Sequence, residues 1–472
     1  MSRATRTLPL DESGVVSAAG SSASWLFLLL HRDRLLAPSA RFRLDGANLV
    51  TIGRGGGRSR RETDQLEIFV DDPWTSTQHA RLVRDGKRFL LEDAGSRNGT
   101  VKNGEPLTEG SLLEDGDVIE LGRTFFLYCE SEALDPAGDD DETQLNELGA
   151  GMRTLSPALA RDFDRLARVA RTAVSILVLG ESGVGKELLS RAVHNLSQRR
   201  GPFLAVNCSA LPDSLLQSEL FGYKKGAFSG AVTDRPGLVR SADGGTLLLD
   251  EIGDLGPLGQ GALLRVLQEG EITPVGDTKP VKVDVRIVAA THRDLAALVD
   301  SGAFRSDLLA RLSGFVFHMP PLRSRREDLG LLIRAVLPRV AKDPSTISLS
   351  QDAARALLTY GWPLNVRELE KCLAAAVAQS SDGRLKLEHL PKSLGAPPVE
   401  SMAPAASEPP PSGKPRAVTL EAKDVERRAR LVSLLEQHAG NVSAVSREMG
   451  AARAQIHRWL RRYDLDPATF RR

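Results

Sequence analysis

An apolar stretch, Ser175 to Leu179, runs directly into GESGVGKE at residues 180 to 187. A buried strand that ends in three glycines and a lysine must turn sharply and leave several backbone N–H groups around one concavity. That arrangement attracts phosphate oxygens, and Lys186 adds a fixed positive charge. Two further apolar runs, TLLLDE and VRIVAAT, alternate with helical stretches, so the expected scaffold is a parallel sheet wound on both faces by helices. The first of them ends in Asp250 and Glu251, which puts two carboxylates at a strand's C-terminal end, the edge where such sheets bind ligands.

At 472 residues the chain is longer than one hydrophobic core usually serves, and several domains are expected. With 62 basic and 61 acidic residues the net charge is +1, so any nucleic-acid-binding charge must be local. Cys129, Cys208 and Cys372 are too scattered for a Cys/His metal motif; a reducing cytoplasm fits. The most apolar run, Trp25 to Leu30, is far short of the roughly 20 residues that span a bilayer. It reads as a buried strand, and no membrane partner is expected.

Residues 131–153 hold seven acidic side chains against one basic, and residues 395–417 are rich in Pro, Ala and Ser; both read as linkers. They separate residues 24–130, with short β-branched and aromatic runs divided by Asp-Gly and Asn-Gly turns, from an α/β core at 154–324, a helical lid at 325–394, and a C-terminal segment at 418–472.

Between the phosphate loop and the acidic pair stands ELFGYKKGAFSGA, residues 219 to 231. This insertion resembles the substrate-engaging loop of the sigma-54-dependent transcription activators, AAA+ ATPases also called bacterial enhancer-binding proteins. The resemblance implies that Gly226, Ala227, Phe228, Ser229, Gly230 and Ala231 contact sigma-54, although the family more often has Thr at Ser229. It implies that Gly180, Glu181, Ser182, Gly183, Val184, Gly185, Lys186 and Glu187 bind ATP, the acid at Glu187 being typical of the family. Asp250 would hold Mg²⁺, directly or through water, and Glu251 would orient the attacking water. Asn207 would pair with Glu251 and switch it with nucleotide state. Thr291 and His292 match the sensor near the γ-phosphate, where Asn is commoner than His292. Arg305 and Arg311 match the arginine fingers that enter a neighbouring subunit's site, and Arg367, in WPLNVRELE, matches the lid sensor. Activity would then require a homo-oligomeric ring.

The N-terminal segment resembles a forkhead-associated (FHA) domain through Gly53-Arg54, Ser76-Thr77-Gln78-His79-Ala80 and Ser96-Arg97-Asn98-Gly99-Thr100. Carried over, Arg54, Ser76, Arg97 and Asn98 would bind phosphothreonine on a partner protein or Ser/Thr kinase. His79 reads as a brace for the loops. The loop after Arg54 is lengthened, and its Arg58, Arg60 and Arg61 offer either further phosphate contacts or solvated charge.

Residues 421–472 carry eleven basic against seven acidic side chains, the local charge that DNA binding needs. NVSAVSREMG followed by AARAQIHRWLRRY resembles a Fis-type helix-turn-helix, with Arg453, Gln455, His457 and Arg458 at or beside the major groove and Arg461 and Arg462 on phosphates. The fold class expected is therefore multidomain: an all-β FHA sandwich, an α/β AAA+ core with helical lid, and an all-α helix-turn-helix. The function expected is a cytoplasmic activator that binds upstream DNA and hydrolyses ATP to remodel sigma-54 RNA polymerase, regulated by phosphothreonine. The alternative is a phosphoprotein-binding adaptor or repressor with an uncoupled ATPase.

Overall fold

A computed structural model describes residues 22–132, 140–141, 151–210 and 212–395, with a few positions between 431 and 449. The chain forms two compact units, residues 1–400 and 401–472. In the second, residues 431–435 are helical; Arg453, Gln455, His457, Arg458, Arg461 and Arg462 lie outside the described residues.

Two sheets make the N-terminal sandwich. In one, Ser22–His31 pairs antiparallel with Ala40–Arg43 on one side and Thr124–Glu132 on the other, and Val118–Leu121 and Thr100–Lys102 continue it. The other carries Arg88–Asp93, Ala80–Asp85, Leu49–Arg54 and Gln65–Val70 as its central strands. The Asn-Gly signal is used as expected: Asn103 and Gly104 both have positive φ and join Thr100–Lys102 to Glu105–Pro106. Within the stretch read as a solvated acidic linker, Asp140 and Asp141 instead pair with Arg41 and Ala40 at the sheet edge.

The strand Ser22–His31 reads WLFLLL without alternation because both its faces are covered. Leu26 packs into the sandwich core with Phe42, Ile68 and Phe126, whereas Trp25, Phe27 and Leu29 belong to an apolar cluster with Leu329, Ile333, Leu357 and Trp362 of the lid. Burying a large apolar side chain contributes roughly 1.5–3 kcal/mol, so this second face fastens sandwich to lid. The approach is close. A Cβ on Gly330, in the lid helix Leu329–Val340, would fall 1.7 Å from the Leu29 carbonyl oxygen.

The α/β core is a five-stranded parallel sheet in the order Phe203–Asn207, Thr246–Asp250, Arg286–Thr291, Ile176–Leu179, Phe315–His318. Asn207, Asp250 and Thr291 therefore end neighbouring strands on one edge, beside the loop that follows Leu179. The lid is built on helices Leu329–Val340, Gln351–Thr359 and Asn365–Gln379. It is not purely helical: Ser348–Leu349 and Arg384–Leu385 form a short parallel pair that holds its loops together. Among the described residues, no helix is long and apolar enough to cross a membrane, and Cys129, Cys208 and Cys372 are free thiols, none of them exposed.

Core, lid and sandwich meet at residues 325–328. Arg325, Glu327 and Asp328 are buried, and burial, together with the neighbouring Asp328 charge, pushes the Glu327 carboxyl up to about 7. A folded-state value above the ordinary one, near 4.5, makes protonated Glu327 the favoured form, so its stabilising contribution is full below that value and is lost as pH rises through about 7. Glu327→Gln removes this dependence. The variant's melting temperature is expected to exceed the parent's at pH 8 and to match it near pH 4.5; a difference that does not grow with pH contradicts the assignment.

Candidate active site

The loop 180–185 wraps the end of the strand Ile176–Leu179 and opens into the helix Lys186–Leu196. Gly183 has φ of +78°, and a Cβ there would lie 2.3 Å from the Leu364 carbonyl oxygen, so the loop is pressed against the lid and only glycine fits. Lys186 is buried, and its Nζ donates to the carbonyls of Gly180 at 2.8 Å and Glu181 at 3.3 Å while standing 3.7 Å from a Glu251 oxygen. Glu187 is exposed on the first turn and pairs at 3.5 Å with Arg191.

Lid side chains hold the loop from the other side. Arg367 Nη1 donates to Ser182 Oγ at 3.2 Å, and Asn365 Nδ2 donates to Glu181 Oε2 and to the Ser182 carbonyl, both at 3.1 Å. Arg323 grips Glu181 with two bonds of 2.6 and 2.8 Å, which holds that carboxyl below its usual range. Arg325 Nη2 donates to the Val184 carbonyl. Arg323, Arg325 and Asn365 were not singled out as site residues from the sequence. Asn365 stands inside WPLNVRELE and has φ of +57°, but nothing in the sequence says that it is buried against the phosphate loop.

Opposite the loop, Asp250 and Glu251 end their strand. Burial and then the charge of Glu251 raise the Asp250 carboxyl. Glu251 behaves oppositely. Burial alone would raise it, but a hydrogen bond from His292 and the charge of Lys186 hold it below its ordinary value. Its Oε2 accepts from His292 Nδ1 at 2.7 Å, from the His292 backbone N–H at 3.3 Å and from Thr291 Oγ1 at 3.3 Å. The Asn207–Glu251 pair is not formed in this structure. Asn207 Oδ1 instead accepts from Ser209 N and Ser209 Oγ, and His292 takes the place at the carboxylate. Arg305 is exposed and bonded to Asp307, and Arg311 is exposed on the helix Ser306–Leu312; neither contacts Lys186, Asp250 or Glu251 among the described residues.

The GAFSGA loop projects from the same core. Gly226 and Gly230 have φ of +83° and +107°, Gly226 N donates to the Ala231 carbonyl, and Ala231 N donates to the Phe228 carbonyl, closing a tight loop with Ser229 exposed at its tip. Phe228 is 42% exposed and meets Tyr223 edge-on at 4.9 Å. A second loop, residues 273–280 between the paired strands Glu271–Ile272 and Val281–Lys282, supports this one, since Lys224 N donates to the Val275 carbonyl and Gly276 leaves room for Ala227.

On the sandwich, Arg54, Ser76, Arg97 and Asn98 gather on adjacent loops. Arg97 N donates to Ser76 Oγ at 3.1 Å, and Asn98 Nδ2 to the Trp74 carbonyl at 2.7 Å. His79 is buried, takes the Ser76 N–H on Nδ1 and bonds the Gly99 carbonyl through Nε2, so it sets the spacing of the two loops. The lengthened loop forms an extra edge strand, Ser59–Glu62, on which Arg60 faces Glu67 and Arg61 donates to the carbonyls of Arg43 and Asp45. Those two arginines are used by the sheet edge.

A phosphate loop at a parallel strand's end, an acidic pair beside it and a lid whose arginine reaches back to the loop define an AAA+ ATPase. Family models agree: the Sigma-54 interaction domain matches residues 152–318, the AAA+ ATPase lid domain 323–406 and the FHA domain 50–122. The regulatory protein AtoC of Escherichia coli is 42% identical over 67% of this chain and 68% of its own length. The Nif-specific regulatory protein of Azotobacter vinelandii is 43% identical over 64% of this chain and 56% of its own. A solved structure, NtrX from Brucella abortus in complex with ADP, aligns over 66% of this chain and 70% of its own at 30% identity, with a TM-score of 0.48. The chain belongs to the sigma-54 activator family and carries an FHA domain ahead of the ATPase. It spans little more than half of the Azotobacter relative.

The His292–Glu251 bond carries a pH signature. Removing the donor with His292→Ala lets burial raise the Glu251 carboxyl, so the acid limb of the ATPase pH profile moves to higher pH. His292→Asn, which restores a donor, should return the limb toward its original position; an unmoved limb in His292→Ala counts against the bond.

Proposed function

We propose that this chain binds DNA upstream of a promoter, assembles into a homo-oligomeric ring and uses ATP hydrolysis to remodel sigma-54 RNA polymerase, under control of a phosphothreonine ligand at the FHA domain. The observation that carries this reading is the half-exposed Phe228 on a glycine-bounded loop braced against a second loop of the same ATPase core. An exposed aromatic on a mobile-jointed loop suits anchoring in an apolar pocket of a partner.

The residues present fit Mg²⁺ and ATP. Two adjacent carboxylates, one of which raises the proton affinity of the other, are a hard oxygen donor set, and the loop's N–H groups and Lys186 offer a phosphate cradle. Mg²⁺ held by Asp250 would neutralise phosphate charge. Glu251, kept ionised by His292 and Lys186, would orient the attacking water and draw on its proton. Asn207, at the end of the next strand, would take over Glu251 when the His292 bond opens. Thr291 would keep Glu251 aimed, and Arg367 would report nucleotide to the lid. Arg305 and Arg311, free of their own subunit's site, would complete a neighbour's, an effect worth about 10³ to 10⁵ in rate in other NTPases. Arg453, Gln455, His457, Arg458, Arg461 and Arg462 would read and grip DNA.

ATP turnover and ATP-dependent open-complex formation, measured side by side on a sigma-54 promoter, test this. Glu251→Gln and Arg305→Ala are expected to abolish both, while Phe228→Ala keeps turnover and loses promoter opening. Ser229→Thr restores a methyl group worth about 0.8 kcal/mol if buried in the complex and should raise opening without changing DNA binding. Opening by Phe228→Ala at the parent rate would remove the sigma-54 role of the loop.

Arg54 governs the other half of the reading. Arg54→Ala should weaken phosphothreonine-peptide binding at least tenfold by calorimetry, leaving ATPase activity without peptide unchanged; equal affinity for phosphorylated and unphosphorylated peptide would end it.

A further inference from the structure

Three consecutive residues of the phosphate loop, Glu181, Ser182 and Gly183, are each held by the lid. The Arg323 fork and Asn365 both reach the Glu181 carboxylate, Asn365 also takes the Ser182 carbonyl, and Arg367 N donates to the Gly183 carbonyl at 3.3 Å. Lys186, farther along the same loop, stands instead beside Glu251. Glu181 is thus an anion in a loop that receives phosphate, where its charge opposes that of a bound nucleotide. Arg323 counters it. The guanidinium holds the carboxyl below its ordinary range and is itself raised by the same bonds.

Asn365 gives this contact its shape. It is fully buried at φ of +57°, a conformation Asn tolerates better than most residues, and its Oδ1 accepts from the Leu322 N–H at 2.8 Å while Nδ2 serves the loop. Leu322 precedes Arg323, so one side chain locks together the two parts of the lid that touch the loop. The turn that presents it is strained: Trp362, three residues earlier, is buried with φ of +49°, and such strain persists only where the surroundings impose it. Arg323 and Glu181 are both half-exposed, and an exposed ion pair alone contributes little. This one is bidentate and shares its carboxylate with a buried amide, which makes it stronger and fixes its geometry.

We propose that Glu181, Arg323 and Asn365 form a latch that fastens the lid to the phosphate loop and sets how long a nucleotide stays bound. The Glu181 side chain acts through the lid and is a positioning residue, not a ligand of the phosphates. This rests on the site being an ATPase. Lid opening, which frees the nucleotide, breaks the Arg323 fork and both Asn365 donations together, whereas hydrolysis at Asp250 and Glu251 leaves them in place.

The test is release of a fluorescent ADP analogue from the full chain, chased with unlabelled ADP by stopped flow, beside steady-state ATP turnover. Glu181→Ala and Arg323→Ala are each expected to speed release about tenfold, with the effect on turnover falling on KM and not on kcat. The double variant should release no faster than Glu181→Ala alone, since the two substitutions remove one bond. Arg323→Lys, which keeps the charge without the fork, should fall between the parent and Arg323→Ala. Asn365→Asp, which turns an acceptor toward Glu181, should also speed release; the parent rate there removes Asn365 from the latch. Release at the parent rate in Glu181→Ala and Arg323→Ala overturns the latch, as does a double-variant effect equal to the product of the single ones. A fall in kcat at unchanged KM overturns it too, because Glu181 would then touch the reacting groups. A parent chain that binds no labelled ADP defeats the ATPase reading itself, whereas a parent that binds it beside unaltered variants defeats only the latch.

Discussion

Asp328 is 1% exposed, and the start of the ATPase core meets the start of the lid at its carboxylate. Thr154 Oγ1 and Leu155 N donate to it at 2.8 and 2.7 Å, fixing the segment that enters the ATPase core, and Arg325 stands 4.0 Å away. Withdrawing a carboxylate from water costs several kcal/mol unless its lone pairs are filled, and here they are filled by one arrangement of core and lid. The neighbours of Asp328 extend that registry outward. Arg323 and Arg325 bond the phosphate loop, while Arg326 donates to Gly116 of the sandwich and to Leu358 of the lid. Six consecutive residues thus tie the nucleotide site to the domain that would read phosphothreonine.

The course of the fold was legible wherever a local rule governed it. Strand followed by glycine loop, paired acids at a strand end and Asn-Gly turns each fix geometry within a few residues, and those elements are found where the sequence puts them. The sandwich–lid contact was not read, although its trace is present. Strands with one solvated face alternate, whereas WLFLLL and TFFLYC do not, because Trp25, Phe27, Leu29, Phe125 and Leu127 face the lid cluster while Leu26, Phe126 and Tyr128 face the sandwich core. Unbroken apolarity shows that both faces are covered; the lid residues that cover the second, Leu329 to Trp362, stand far along the chain and follow no local rule.

The active site divides the same way. Lys186, Asp250 and Glu251 carry motif spacing and come together. Glu251's partner depends on which rotamers three strand ends adopt in concert: Asn207 turns to Ser209, and His292 donates instead. Arg323 and Arg325 sit in RSRRED, a run that reads as solvated charge until burial is known. Arg60 and Arg61 teach the converse, since arginines beside a ligand loop became edge-strand partners once their segment paired with Gln65–Val70.

Coupling between two sites requires an element whose position both of them bias. The lid qualifies, touching the phosphate loop through Asn365 and Arg367 and the sandwich through Gln351, Arg355 and Leu329. Magnitudes restrict how it can move. Trp25, Phe27, Leu29, Phe125 and Leu127 are among the sandwich side chains in the shared cluster, and exposing these alone would cost on the order of 10 kcal/mol at roughly 2 kcal/mol each. Allosteric coupling energies are typically about 1–3 kcal/mol, so ligand-driven separation of sandwich from lid is out of reach. What lies within reach is a tilt that keeps the apolar face closed and exchanges polar contacts at its rim, where Glu120 meets Gln351 and Arg355. Gly330 limits even that motion, because helix and strand backbones already touch there. A signal from the sandwich would therefore move it and the lid as one body against the phosphate loop, with Arg323, Asn365 and Arg367 as the contacts that yield.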